Sequence, residues 1–307
     1  MPRVSVLLTC YNHLAYIGEA LDGLAQQTYR DFEVIALDDG SQDGTREYLL
    51  ENAEKFGLRI EFNSKNLGTY GTLNRGLELA SGEFIAILND DDVWLPNKLA
   101  GQVEMMDRDP KIGLAHTGGW FIDGQRQRIE GSPLGFPFPD TPTGDLFTLL
   151  VDHNQIIASS TLFRSACVAE TGPFDPSFYG CGDWHMWLRI AERWHVGYLR
   201  GDHTLYRIHG ANACLDEGKM NEDGLRIRSW IEGRAGEIIA GAPDRPGIVA
   251  ALAHNSACLG TEFGWRGDVG RARQAYVRSI RLMPWRFKSY ARLAATLLPR
   301  KLFRALN

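Results

Sequence analysis

Three near-continuous apolar runs, Val4–Leu8, Phe32–Leu37 and Phe84–Leu88, constrain this chain more than any other feature. A strand with one wet face alternates polar and apolar residues, whereas a strand apolar throughout must be covered on both faces. Between the runs, apolar residues recur at helical spacing: Ile17, Leu21 and Leu24; Tyr48, Leu49, Ala53 and Phe56; Leu73, Leu77 and Ala80. Ile60 and Phe62 mark a shorter strand. Strands alternating with helices predict an α/β fold, a mostly parallel, Rossmann-like sheet with helices on both faces. Ligands of such sheets bind beyond the carboxyl ends of the strands. Asp38-Asp39-Gly40-Ser41 follows the second run and Asn89-Asp90-Asp91-Asp92 the last, so two acidic clusters are expected to face one crevice.

The pattern then changes. From about Gly118 to Thr143 it is rich in Gly and Pro and predicts irregular β structure, with Trp120-Phe121-Ile122 as a short strand. Ile156–Phe163 predicts a strand, and Ser165–Thr171 a short helix stopped by Gly172-Pro173. Trp184, Trp187, Leu188 and Ala191 occupy one face of a helix beginning near Asp183. Tyr198-Leu199 and Leu205–Ile208 are closing strands, and beyond about Lys219 the pattern is helical. This divides the chain into an α/β domain, 1–215, and a helical C-terminal extension, 216–307.

Charge and cysteine content narrow the partners. The net charge of −5 gives no sign of nucleic-acid binding. From Arg266 onward, however, there are eleven Lys or Arg and one acid, Asp268, a formal +10 against −15 elsewhere. The five cysteines are scattered with no C-x-x-C pair, which suggests a reducing, cytoplasmic setting without a thiolate metal site. The N-terminus has no signal-peptide pattern and no stretch is long enough to span a bilayer.

Six blocks in order resemble glycosyltransferase family 2, the inverting family with the GT-A fold. They are Val4–Asn12 with Gln27-Thr28-Tyr29; Asp38–Thr45; Asn66-Leu67-Gly68 with Asn74-Arg75-Gly76; Ser81–Ile85 leading into the acidic run and Trp94-Leu95-Pro96; Gly172–Asp175 with Gly182–Arg189; and Tyr206–His209. The resemblance covers roughly residues 3 to 210. It implies transfer of a sugar from a nucleotide-sugar donor, most simply a UDP-sugar, to a glycan or lipid-linked acceptor by single displacement. Bacterial surface-polysaccharide or glycoconjugate synthesis is the setting implied.

The resemblance also assigns roles. Asp91 matches the metal-binding aspartate of the D-x-D motif, His209 a late histidine ligand, and Asp90 lies near the ribose. Negative charge grows on the departing phosphate, which a divalent cation offsets; carboxylate ligands suit Mn²⁺ or Mg²⁺. Asp39 matches the carboxylate that accepts from the pyrimidine N–H, with Thr9, Tyr11, Asn12, Asn66 and Gly68 lining the nucleotide pocket. Asp183 aligns with the general base, which takes the acceptor's proton most readily when its pKa is raised toward the working pH. Trp184 and His185 are candidates for the acceptor side. Each feature has a plainer counterpart: three aspartates as a solvated turn, Asp38-Asp39 as a turn and helix cap, Asp183 as a cap, and tryptophans at helical spacing as core. Two residues depart from the family pattern: Asn89, where Asp is common, and Gly182, where Glu is frequent.

The C-terminal segment carries Leu293, Leu297, Leu298, Leu302, Phe303 and Leu306 among Arg292, Arg300, Lys301 and Arg304. Docking on an anionic membrane surface and simple packing on the catalytic domain both suit such a basic amphipathic helix. Gly267–Arg273 with Tyr276 faintly resembles part of a tetratricopeptide unit. Two other classes stand beside the transferase: a non-catalytic nucleotide-sugar or glycan-binding relative, and a nucleotidyltransferase. The latter needs a Gly-rich basic loop that Thr9-Cys10-Tyr11-Asn12 does not supply.

Overall fold

The computed structural model describes residues 1–299 and Phe303. Arg300, Lys301, Leu302, Arg304 and Leu306 of the expected C-terminal helix lie outside the described residues. The chain forms two compact units: Met1–Leu146 with Gln155–Leu215, and Phe147–Asn154 with Asp216 onward. Among the described residues no helix is long and apolar enough to cross a membrane.

The first unit contains β1 (Val4–Cys10), α1 (Ile17–Ala25), β2 (Phe32–Asp38), α2 (Thr45–Phe56), β3 (Leu58–Phe62), α3 (Gly68–Leu79), β4 (Phe84–Asn89), β5 (Val93–Trp94), α4 (Lys98–Arg108), β6 (Ile112–Ile122) and β7 (Arg128–Ile129). The chain then passes through α5 (Phe147–Asp152), which packs in the second unit. It returns as β8 (Leu162–Arg164), α6 (Ser165–Thr171), α7 (Gly182–Ala191) and β9 (His195–Arg207). The sheet order is β3-β2-β1-β4-β8-β6-β9-β5, with β7 on β6. The first four strands in that order run parallel, as their unbroken apolar runs require. Beyond them the sheet is mixed: β8 is antiparallel to β4 and β6, while β9 is parallel to β6.

Alternation along β1 shows both faces covered. Val4, Val6 and Leu8 pack with Ile17, Leu21 and Leu24 of α1, Leu49 of α2 and Leu99, Val103 and Met106 of α4. On the other face, Gly76 of α3 lies against Leu7 and Leu37; a Cβ there would stand 2.6 Å from Leu37 Cδ1. Gln27, fully buried after α1, fastens the layers: its Nε2 donates to Gly23 O (3.0 Å) and Leu95 O (2.9 Å), and its Oε1 accepts from Leu99 N (3.1 Å).

Two expectations changed. The segment expected to be a strand from Ile156 begins instead as a 3₁₀ turn, Ala158–Ser160, and only Leu162–Arg164 pairs in the sheet. Ser160 Oγ donates to Ile157 O and Thr161 Oγ1 to Ala158 O, local bonds that compete with a ladder. The Gly-rich stretch at Gly118 is the middle of the long strand β6. A Cβ at Gly119 would sit 1.8 Å from Thr204 O, so only glycine lets β9 come this close.

The second unit joins α5 to α8 (Glu217–Gly233), α9 (Ala235–Gly241), α10 (Arg245–Arg266), α11 (Val269–Leu282) and α12 (Phe287–Ala295). Asp216, Asp244 and Asp268 cap α8, α10 and α11, each accepting from a backbone N–H three residues on. Gly267, at φ +88°, ends α10 in the left-handed region. Ala272, Tyr276, Ala295 and Phe303 form a buried cluster there.

Two predictions follow from this packing. Gln27→Ala strands two buried carbonyls and one amide, and should lower unfolding free energy by about 2–4 kcal/mol in urea titrations. In the second unit, Asp152 hydrogen-bonds His254 and His153. The Asp152 bond raises the His254 pKa to about 9. Burial opposes charge on Asp152, but the two histidine bonds outweigh it and hold its carboxyl below the usual range. His254 therefore stabilises fully below about pH 6.5 and loses that contribution as pH rises through about 9, whereas Asp152 loses its own as pH falls below about 4. The Tm gap between wild type and His254→Gln should be widest near pH 5–6 and shrink by pH 9.

Candidate active site

Register brings the strand ends level. Cys10 pairs with Asp38 and Thr9 with Asn89. Backbone bonds then join the loops: Asp39 N to Cys10 O (2.9 Å), Asn63 N to Asp38 O (2.9 Å) and Asp90 N to Thr9 O (3.1 Å). Thr9 Oγ1 donates to Asn89 Oδ1 at 3.0 Å. Asn12, at φ +56°, receives Gln42 N on its side chain and donates its own N–H to Ser41 Oγ, tying the β1 and β2 loops together.

Asp39 is buried and holds the start of α3. Its Oδ1 accepts from Leu67 N (2.7 Å) and Asn63 Nδ2 (2.9 Å), its Oδ2 from Gly68 N (2.9 Å). The Asp38-Asp39 pair therefore does not cap the helix that follows it. The cap position is Gly44, at φ +99°, and Asp43 just before it accepts from Thr45 N and Thr45 Oγ1. Asn66 Oδ1 also accepts from Gly68 N, so Asp39, Asn66 and Gly68 form one turn.

The three aspartates after β4 separate completely. Asp90 accepts from Tyr11 N (3.1 Å) and meets His13 Nδ1 at 2.7 Å. Asp91 Oδ2 meets His209 Nε2 at 3.1 Å and Asn212 Nδ2 at 3.2 Å. Asp92 accepts from Arg207 N at 2.9 Å. A fully buried Arg207 guanidinium ties this run down: Nε donates to Asp91 O, Nη1 to Asp123 O, and Nη2 lies 3.2 Å from Glu19. Burial pushes the Asp92 carboxyl well up, Asp91's charge adding to it. It also raises Asp90 to about 6. Burial alone would lower His13, but the Asp90 bond and the charge of the run raise it to about 9.

Ligand atoms of His13, Asp91 and His209 lie within 4.8 Å of one another, two nitrogens and one oxygen suited to a divalent cation. His13 packs edge-on to His209, with ring centroids 4.9 Å apart, and Tyr16 lies 4.8 Å from His209 on another side. Sequence reasoning assigned no role to His13, Arg207 or Asn212. The signal for His13 was its place directly after Tyr11-Asn12, on the loop leaving β1. Asn212 ties His209 to Asp91: its Oδ1 accepts from His209 N while its Nδ2 donates to Asp91 Oδ2 and Arg207 O.

Asp183 is half-buried in the first turn of α7, where it accepts from Trp184 N at 2.6 Å. The cap position itself is Cys181. Preceding it, Gly182 lies under the ring of Tyr70 in α3, where a Cβ would come within 2.7 Å; a glutamate does not fit. Arg189 donates to Thr171 O and Pro173 O, and Asn74 exchanges two hydrogen bonds with the Phe174 backbone, so these blocks brace the approach to Asp183. Trp184, a candidate for the acceptor side, is 5% exposed and Trp187 wholly buried; Phe163 and Phe174 flank Trp187. His185 is half-buried, 5.2 Å from the Phe178 ring.

The family model described as glycosyl transferase family 2 matches residues 5–167. The putative teichuronic acid biosynthesis glycosyltransferase TuaG of Bacillus subtilis is 28% identical over 233 residues, spanning 75% of this chain and 83% of the relative. Among solved structures, S. aureus TarS 1-349 in complex with UDP-GlcNAc superposes with TM-score 0.69 at 16% identity, covering 99% of this chain and 90% of that one. The mannosyltransferase PcManGT from Pyrobaculum calidifontis, in complex with GDP-Man and Mn2+, gives TM-score 0.57 at 19% identity, covering 99% and 84%. The fold is thus GT-A with C-terminal helices.

Removing the buried guanidinium tests the electrostatics. Arg207→Met strands the buried carbonyls of Asp91 and Asp123 and removes the positive charge beside Asp92, while Glu19 keeps Arg126; it should cost about 2–4 kcal/mol of stability by urea unfolding.

Proposed function

Because this chain belongs to glycosyltransferase family 2, we propose that it moves a sugar from a UDP-sugar to a hydroxyl of a glycan or lipid-linked acceptor, with inversion. The carrying observation is the meeting of Asp91 with His209 and His13, one strand from Asp39, at the aligned carboxyl ends of the parallel strands. The teichuronic acid relative and the UDP-GlcNAc complex of TarS favour cell-surface polymer synthesis and a uridine donor.

Asp39 is the residue for the base. Its Oδ2 accepts one protein hydrogen bond, from Gly68 N, which leaves acceptor capacity for a pyrimidine N–H. The rigid turn Asn66–Gly68 and the Thr9–Asn12 loop then flank the nucleoside. His13, Asp91 and His209 would hold the cation, with Asp90 orienting His13 through Nδ1 and Asn212 orienting both His209 and Asp91. A bound divalent ion supplies positive charge for the departing diphosphate. Two imidazoles beside one carboxylate make a softer set than oxygen alone and favour Mn²⁺ over Mg²⁺.

Asp183 serves as general base. The acceptor oxygen forms its bond to the anomeric carbon as that carbon's bond to the phosphate oxygen breaks, and the hydroxyl proton passes to the Asp183 carboxylate. The N-terminal turn of α7 favours a carboxylate at this position before the proton arrives.

Nucleotide release across a donor panel with Mn²⁺ tests the reading, alongside calorimetric binding of Mn²⁺ and UDP. Asp183→Asn should lower turnover by about 10²–10⁴-fold while leaving UDP binding nearly unchanged. Asp91→Ala should abolish both Mn²⁺ binding and turnover, and His13→Gln should weaken Mn²⁺ binding by at least about tenfold. Turnover intact in both Asp91→Ala and Asp183→Asn would overturn the site assignment.

A further inference from the structure

The amphipathicity of α12 is inverted. Phe287, Tyr290, Ala291 and Ala294, at i, i+3, i+4 and i+7, are all exposed, whereas Ser289 and Ala295 are buried on the inner side. Ser289 Oγ meets Ser279 Oγ of α11 at 2.9 Å, so small side chains attach the helix and large ones point away. Among large apolar residues, the highest exposures after Met1 fall within this stretch: Phe287 at 79%, Leu297 at 76% and Trp285 at 69%. Water-facing apolar stripes of this size mark interaction surfaces.

Charge indicates what meets the stripe. Arg266, Arg271 and Arg278 are engaged with Glu222, Asp268 and Glu232. Among the described residues, Arg281, Arg286, Lys288 and Arg292 form no ion pair, and from Arg266 onward the sequence has Asp268 as its single acid. A second copy would bring like charge against like. Phospholipid headgroups supply the negative charge, and the acyl boundary beneath them accepts the apolar rings. Trp and Tyr favour that boundary because their rings are apolar with one polar edge.

We propose that the α12 face, with Trp285, Phe287, Tyr290, Leu297 and Leu298 inserted, and with the exposed Arg281 and Lys288 and the partly buried Arg286 and Arg292 on the same segment, docks the enzyme on an anionic phospholipid bilayer. Docking places the transferase where lipid-linked acceptors reside, but it is independent of the donor assignment, because vesicle binding is read without substrate.

The test is co-sedimentation of the full chain with phosphatidylcholine vesicles, with and without 30% phosphatidylglycerol (about the anionic share that gives a strong surface potential). Nucleotide release in solution serves as the control for folding. Wild type should partition onto the anionic vesicles and be released by salt. Trp285→Ser with Phe287→Ser should weaken partitioning by at least about tenfold while turnover in solution is unchanged. Lys288→Glu should weaken it by about fivefold or more, and on anionic vesicles only. Brominated lipids should quench wild-type fluorescence more than that of Trp285→Phe. Equal binding to neutral and anionic vesicles, no loss in the double variant, or a dimer in solution that the double variant dissolves would each overturn the proposal.

Discussion

Everything at the acidic rim depends on one register. β1 pairs in parallel with β2 from Val4↔Phe32 to Cys10↔Asp38 and with β4 from Val4↔Phe84 to Thr9↔Asn89. A slip of one residue would turn Val4, Val6 and Leu8 away from α1, α2 and α4 and expose them to the α3 face. The same slip would separate Asp39 from Cys10 O and Asp90 from Thr9 O. Core burial and site geometry are therefore a single constraint, enforced by the apolar surface that a shifted register would leave mismatched.

That rim carries an unusual electrostatic load. Asp38, Asp39, Asp90, Asp91 and Asp92 are all at most 7% exposed. Burying carboxylates is costly unless each finds donors or countercharge. Asp39 is held by backbone amides, Asp90 by His13 and Tyr11 N, and Asp92 by Arg207 N. Oxygens of Asp38 and Asp92 stay without hydrogen-bond partners. Burial pushes Asp92 and Asp90 toward their neutral forms, and the cation proposed at Asp91 would favour the charged ones.

Much of this was legible in the sequence, for physical reasons that differ by element. Val4–Leu8, Phe32–Leu37 and Phe84–Leu88 announced themselves because a strand buried on both faces has no polar phase to hide it. The acidic clusters followed from strand direction alone. β6 was obscured because Gly118 and Gly119 suggest a loop, whereas here they admit the backbone of β9; close approach between distant strands leaves no local pattern. Ile156–Phe163 misled because its Ser and Thr hydroxyls bond locally. His13 meets Asp90 and Asn212 meets Asp91 across more than seventy residues of sequence, a separation periodicity cannot register. The tryptophans of α7 obeyed helical spacing and are buried.

Gly182 beneath Tyr70 carries an evolutionary consequence. The family resemblance leads one to expect glutamate where this chain has Gly182, and the Tyr70 ring occupies the room that side chain would need. Tyr70 in turn stacks on Phe174, whose backbone Asn74 clasps. Neither position can change alone: an acid at 182 meets the ring, and a smaller residue at 70 leaves a void over a bare glycine. The two sites are sterically coupled, so a larger side chain at 182 is accommodated only when position 70 changes with it.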